Sequence, residues 1–243
     1  MTDFRSLHRA GAPLILPNAW DVASARMLVA AGFAAVGTTS LGVAAANGLP
    51  DGEGATDADA LRLTRRITGL PCHVSVDIER GSVGTAVAVA AAGAVGINVE
   101  DAMGPVEPQV RLIRAVKLEV PDLFVNARTD THWQRAGDLA EAVRRVRVYA
   151  DAGADGVFVP GLRAPADIAE VVRAVDIPVN VLHDPCGPTL AELTALGVRR
   201  VSTGSLLFRI ALAATVEAAR AVRDGTEVRA AGLPAYGEIA API

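Results

Sequence analysis

A closed eight-stranded α/β barrel, the (β/α)8 TIM-type fold, is what this sequence predicts, and three observations predict it. Short apolar runs alternate with amphipathic stretches along the whole chain, which is the pattern of βα units building a parallel sheet. Eight such units can be counted in 243 residues, close to the roughly 250 typical of a closed barrel. The composition, 51% hydrophobic but only 4% aromatic, asks for a core of small branched side chains layered between elements.

The runs, in order, are LILP (14–17), AAVGT (34–38), HVSVD (73–77), VGINVE (95–100), LFVNA (123–127), DGVFVP (155–160), PVNVL (178–182) and RRVST (199–203). Four of them follow the same punctuation, in AAGFAAV, AAGAVGI, DAGADGV and ALGVRRV, where a glycine supplies the left-handed stop of the preceding helix. An open doubly wound sheet is the competing architecture. It calls for a glycine-rich dinucleotide turn after the first strand, and LPNAWD stands there instead. No shift of composition marks a linker, so residues 1–243 are read as one domain.

The formal charge of −4, with arginines interspersed among acids, argues against nucleic acid and anionic membrane as partners and for a small ligand. No apolar run reaches the length of a membrane span and MTDFRSLHRA has no signal-peptide core, so a cytoplasmic protein is expected. Cys72 and Cys186 are read as reduced thiols. The single lysine, Lys117, falls late in an expected helix, where its charge complements the helix dipole and water solvates it. A covalent-lysine mechanism is disfavoured on that ground.

In a barrel, chemistry belongs to the carboxyl ends of the strands. Just past the runs stand Asn18 and Asp21, then Thr39, Ser40 and Asp51, then Asp77 and Glu79, Glu100 and Asp101, and Asn126, Arg128 and Asp130. The last three strands contribute Pro160, Gly161, Asn180, His183, Gly204 and Ser205. Asp77 and Glu79 share a face, and Glu100 and Asp101 end the neighbouring strand. Crowded carboxylates repel unless a hard dication sits among them, and magnesium, which keeps several waters, needs only one direct carboxylate. Zinc or iron would recruit histidine, and His8, His73, His132 and His183 do not cluster with the acids. Asp57 and Asp59 are instead read as helix-terminal acids.

The segments LPNAWDVASARMLVAAGF, GTTSLGVAAANGLPDGEG, VSVDIERG, GINVED and NARTDTHW, in this order over residues 14–133, resemble the isocitrate lyase and phosphoenolpyruvate mutase superfamily, and GADGVFVPG continues the likeness more loosely. The resemblance implies Mg2+ contacted directly by Asp77, with Asp51, Glu79 and Glu100 holding metal waters or the substrate site. It implies that Arg128, with Asn126 beside it, meets a substrate carboxylate or phosphonate, and that Ser40, Leu41 and Gly42 hold the carboxylate end. It also implies chemistry through an enolate of pyruvate or its phosphorus analogue, and pairing of subunits through the helix expected from Leu206 past Arg223, giving a homodimer or homotetramer.

The sequence departs from that pattern after the fourth strand. The family's lyases carry a Lys, Cys and Gly loop there and its mutases a loop with Lys and Asn, whereas here GINVED runs into AMGPVEPQVRLI. Residues 104–108 are read as a shortened gate over the site. Glu107, His132 and a metal-bound water stand as candidates for proton transfer. Three functions are carried forward: a magnesium-dependent lyase or hydrolase of a small 2-oxo or 2-hydroxy acid, a phosphonate mutase or hydrolase, and a non-catalytic carboxylate-binding homologue.

Overall fold

The computed structural model describes residues 3–240. Its strands form one parallel sheet in the order β1-β9-β8-β7-β6-β5-β4-β3-β2. They are β1 (Leu14–Leu16), β2 (Asn18–Ala19), β3 (Ala35–Thr38), β4 (His73–Asp77), β5 (Gly96–Glu100), β6 (Phe124–Arg128), β7 (Gly156–Phe158), β8 (Val179–Leu182) and β9 (Arg200–Ser202). The first two are halves of one barrel strand interrupted at Pro17. Leu16 O accepts from Thr203 N on one side and Pro17 O accepts from Gly37 N on the other, at 3.3 and 2.8 Å. Residues 14–19 thereby join β9 to β3 and close the expected eight-fold barrel.

Helices follow the strands: α1 (Val22–Ala30), α2 (Ser40–Ala46), α3 (Asp57–Ile67), α4 (Val83–Ala91), α5 (Val106–Glu119), α6 (Leu139–Asp151), α7 (Pro165–Arg173), α8 (Leu190–Ala195), α9 (Leu206–Asp224) and α10 (Tyr236–Ala240). Their starts are fixed locally. Asp21 and Ser24 form a reciprocal capping box on α1, Thr189 and Glu192 another on α8, and Asp138 caps α6. Asp57 and Asp59 lie in the first turn of α3, as helix-terminal acids do.

Alternation along each strand divides the protein into two interiors. Val36, Val74, Val76, Ile97, Val99 and Val125 pack outward with Val89, Ile113 and Val116 of the helices. The alternate positions point into the barrel and are polar: Ser75, Asn98, Asn126, Asn180 and Arg200 are all buried. The amino-terminal end of the barrel is sealed by Phe4, Leu14, Leu16, Ala35 and Phe124. Lys117 is tied there rather than solvated as expected. Its Nζ donates to Pro121 O, Leu123 O and Asp155 Oδ2 at 2.6, 3.0 and 3.0 Å, and Asp155 also pairs with Arg5.

His8 belongs to this seal, stacked on Phe124 with ring centroids 4.4 Å apart. Burial and the nearby Arg200 charge lower its pKa to about 4. A depressed histidine pKa means the unfolded chain binds the proton more readily, so stability is intact above pH 6.5 and is lost as pH falls towards 4. The loss should reach roughly 2–3 kcal/mol. Urea unfolding at pH 7 and pH 5 checks this, and His8→Phe should flatten the slope between those values; an unchanged slope would sink the assignment.

Candidate active site

A cavity of about 220 Å³ opens at the carboxyl ends of the strands, where the sequence places the chemistry. Asn18 holds its seam: Oδ1 accepts from Thr203 N and Gly204 N, while Nδ2 donates to Thr38 O, at 3.0, 2.9 and 2.7 Å. Ser40, Leu41, Asp51, Asp77 and Arg128 all line the cavity.

Asp77 ends β4 with its carboxylate lightly engaged. Ser40 N reaches Oδ2 at 3.3 Å and Asn98 Nδ2 reaches Oδ1 at 3.2 Å. Both are long contacts for a charged acceptor, leaving lone pairs for a stronger partner. Asn126 does not line the cavity; its Nδ2 donates to Asn98 Oδ1 at 3.0 Å, so it acts on Asp77 only through Asn98.

Glu79 and Glu100, expected beside Asp77, have protein partners of their own. Glu79 has the left-handed backbone φ of 53°, which turns it from the strand direction. Its Oε2 accepts from Gly54 N at 2.7 Å and its Oε1 from Thr56 Oγ1 at 2.5 Å. Both oxygens are spent on anchoring the segment that carries Asp51. Glu100 Oε2 pairs with Arg128 Nη1 at 2.8 Å. Burial, with the carboxylates of Asp77, Asp130 and Glu79 adding to it and Arg128 opposing it, pushes Glu100 up to about 8. Among the described residues no three His, Cys, Asp or Glu side chains form a metal-holding group. The residues fit magnesium in a mode in which Asp77 would be a direct carboxylate and water or substrate would fill the remaining positions.

Arg128, at the end of β6, is held on two sides. Nη1 meets Glu100 and Nε meets Asp130 Oδ1 at 2.6 Å, while the guanidinium lies 6.0 Å from the centre of the Trp133 ring. Burial opposes its charge, but Glu100, Asp130 and Asp77 outweigh it and keep Arg128 above its ordinary pKa. Nη2 is left as its uncommitted edge, fixed in place before any ligand arrives.

Gly42 is not among the residues lining the cavity, although Ser40 and Leu41 before it are. A Cβ there would fall 2.8 Å from Thr39 Cγ2 and from Trp20 Cβ, so close packing of α2 requires the glycine. The expected gate is also absent: Pro105 caps α5, and 106–108 are its first turn. The preceding turn is clamped by Asp101, which accepts from Arg145 Nη1 and Tyr149 Oη at 2.7 Å each and from Met103 N and Asp130 N at 3.0 and 3.1 Å. Glu107 is exposed on α5, and neither it nor His132 lines the cavity, whereas His183 does.

One functional candidate escaped the sequence reading. Arg200, on β9, lines the cavity yet is only 3% exposed. Burial lowers its pKa to about 9, with Asp77 acting against the shift. The available signal was a charged residue inside an apolar strand run.

Fold and site together define a (β/α)8 barrel with an acid and an arginine fork facing one strand-end cavity. A family profile described as phosphoenolpyruvate phosphomutase matches residues 4–223, and the chain belongs to that family. It is 45% identical over 234 residues to an uncharacterized protein of Mycobacterium tuberculosis, covering 93% of this chain and 90% of that one. A structure from Burkholderia cenocepacia J2315, provisionally named a phosphonomutase, shares 40% identity with a TM-score of 0.84, covering 89% of this chain and 97% of that one. A phosphonopyruvate hydrolase solved with oxalate and Mg++ shares 26% identity with a TM-score of 0.82, covering 98% and 92%. Other similar chains are named 2-methylisocitrate lyase, phosphoenolpyruvate phosphomutase and oxaloacetate acetylhydrolase, so the family spans lyases, mutases and hydrolases.

Proposed function

We propose that this chain is a magnesium-dependent enzyme that acts through an enolate-type anion of a small 2-oxo or 2-hydroxy carboxylate, cleaving a carbon-carbon bond as a lyase or hydrolase. The observation that carries the reading is the pairing, across one cavity, of the lightly engaged Asp77 carboxylate with the pre-fixed Arg128 edge. Magnesium, when bound, supplies positive charge where the enolate oxygens collect negative charge. Arg128 Nη2 donates to the same anion, and because Glu100 and Asp130 already fix the guanidinium, little reorganisation remains when charge develops. Ser40 and Leu41 line the cavity beside Asp77, to which Ser40 N donates, and hold the carboxylate end. Asp51, carried on the segment that Glu79 anchors, faces the metal waters.

A phosphonate mutase or hydrolase is the second reading, supported by the likeness to the Burkholderia protein. Chains would pair through α9, which leaves Ile210, Leu212, Val216 and Val222 exposed on an amphipathic helix, as a cytoplasmic homodimer or homotetramer. No helix among the described residues is long and apolar enough to cross a membrane.

Calorimetric titration with oxalate, a mimic of the pyruvate enolate, tests the site. Binding should require magnesium, and Arg128→Lys, which keeps the charge but loses the planar fork, should weaken it by about 10- to 100-fold. Equal binding with magnesium and with a chelator would overturn the metal reading.

A further inference from the structure

Four polar atoms deep in the cavity have no hydrogen-bond partner: Arg200 Nε and Nη1, Ser75 Oγ and Asn180 Oδ1. Their three residues come from β9, β4 and β8, point inward and line the same space. No carboxylate lies within ion-pair distance of Arg200 among the described residues. A buried charge without a counter-ion is costly, and protein interiors hold one mainly where something else completes it.

Four arginines line the cavity; Arg163 and Arg209 are exposed, and the other two, Arg128 and Arg200, differ in this respect. Arg128 has Nη1 and Nε already engaged by Glu100 and Asp130 before a ligand binds. Arg200 has only the distant help of Asp77. On the function proposed above, that carboxylate faces a dication, which removes the help and leaves positive charge in excess beside Arg200. A second anionic group restores the balance, and a guanidinium with two free N–H edges suits a planar carboxylate.

We propose that Arg200, with Ser75 and Asn180 beside it, is a specificity-determining residue that forms a second oxyanion subsite for the far carboxylate of a dicarboxylic acid. The assignment rests on the reading that the near carboxylate is held on the Asp77 and Arg128 side. Asn180 Oδ1, an acceptor, then meets a hydroxyl or an ordered water of the ligand, and Ser75 Oγ donates to the carboxylate.

Malate and lactate differ in the far carboxylate, so they isolate the subsite. In calorimetry with magnesium, the wild-type chain should bind malate about 10- to 100-fold more tightly than lactate, the range expected for a charge-assisted pair. Arg200→Gln should bring the two within about threefold of each other while leaving lactate unchanged, and Arg200→Lys should keep part of the preference. A preference that survives Arg200→Gln, or lactate weakened as much as malate, would overturn the subsite. Malate binding that needs Arg200 but not magnesium would overturn the metal reading and leave the subsite standing, and a wild-type chain that binds oxalate with magnesium but no malate overturns the subsite alone. Ligand-free Arg200→Met and Arg200→Gln should melt about 2–4 °C higher, because an uncompensated buried charge is gone. A fall of several degrees in both would assign Arg200 a structural role and overturn the proposal.

Discussion

Asp77→Ala is expected to abolish the magnesium dependence of oxalate binding and to weaken that binding in magnesium by about 100-fold or more, some 2.7 kcal/mol. The size follows from the site's economy of ligands. Glu79 spends both oxygens on Gly54 and Thr56, and Glu100 is engaged by Arg128. Asp51 belongs to an exposed segment and reaches the cavity from its rim. No second carboxylate is therefore placed to take over from Asp77, in contrast to a cage of several acids, where loss of one ligand is partly covered by the rest. Folding should survive the change, since Asp77 gives up only the two long contacts from Ser40 N and Asn98 Nδ2. Titration of wild type, Asp77→Ala and Asp77→Asn with and without magnesium reads the effect directly. Binding in magnesium that is the same for all three would remove Asp77 from the metal site. Glu79→Gln offers the contrast: it should alter the ordering of the 51–56 segment more than the metal affinity.

The barrel was legible because its signal is periodic and local. Apolar runs, helix stops such as Gly93 and Gly153, and polar residues just past each run repeat with every βα unit, so several copies support one reading. Asp77, Arg128, Ser40 and Asp51 were found by position alone, since each stands at a strand end. What escaped depends on direction. Glu79 looks like a partner of Asp77 by alternation, but its positive φ breaks the alternation and sends it to the 51–56 segment. Gly42 reads from sequence as a ligand-contacting glycine, and its 2.8 Å approaches to Thr39 and Trp20, a packing role, show only in three dimensions. Residues 104–108 read as a loop because of Gly104, Pro105 and Pro108, yet proline fits the first turn of a helix, where its missing N–H costs nothing. Arg200 was hidden because whether a strand residue faces the barrel or the helices follows from register, and RRVST offers two neighbouring arginines, Arg199 and Arg200, to choose between.

The second large effect is expected at Asp101, which stands among the strand-end acids in the sequence and which the structure shows to be a clamp. Its carboxylate accepts from Arg145 Nη1, Tyr149 Oη, Met103 N and Asp130 N, which fills its acceptor capacity. Although burial acts in the other direction, the hydrogen bonds from Met103, Tyr149 and Arg145 hold its pKa below the ordinary value, so it stays ionised. The clamp holds a turn in which Ala102 and Met103 both adopt positive φ, 44° and 57°, conformations unfavourable for residues with a Cβ. Asp101→Ala would leave a phenol and two backbone N–H groups unpaired and Arg145 with Glu141 as its one remaining ion-pair partner beside the Gly104 carbonyl. Loss of one partner from a buried ionic network of this kind costs about 3–5 kcal/mol. Urea unfolding should show that loss with an unchanged slope, and Asp101→Asn, which keeps acceptors at one oxygen, should recover part of it. The same change should free the turn before α5, so proteolysis near Met103 should accelerate in Asp101→Ala while oxalate binding keeps its magnesium dependence. A destabilisation below about 1 kcal/mol would mean that the positive-φ turn is held by α5 itself and that the clamp is incidental.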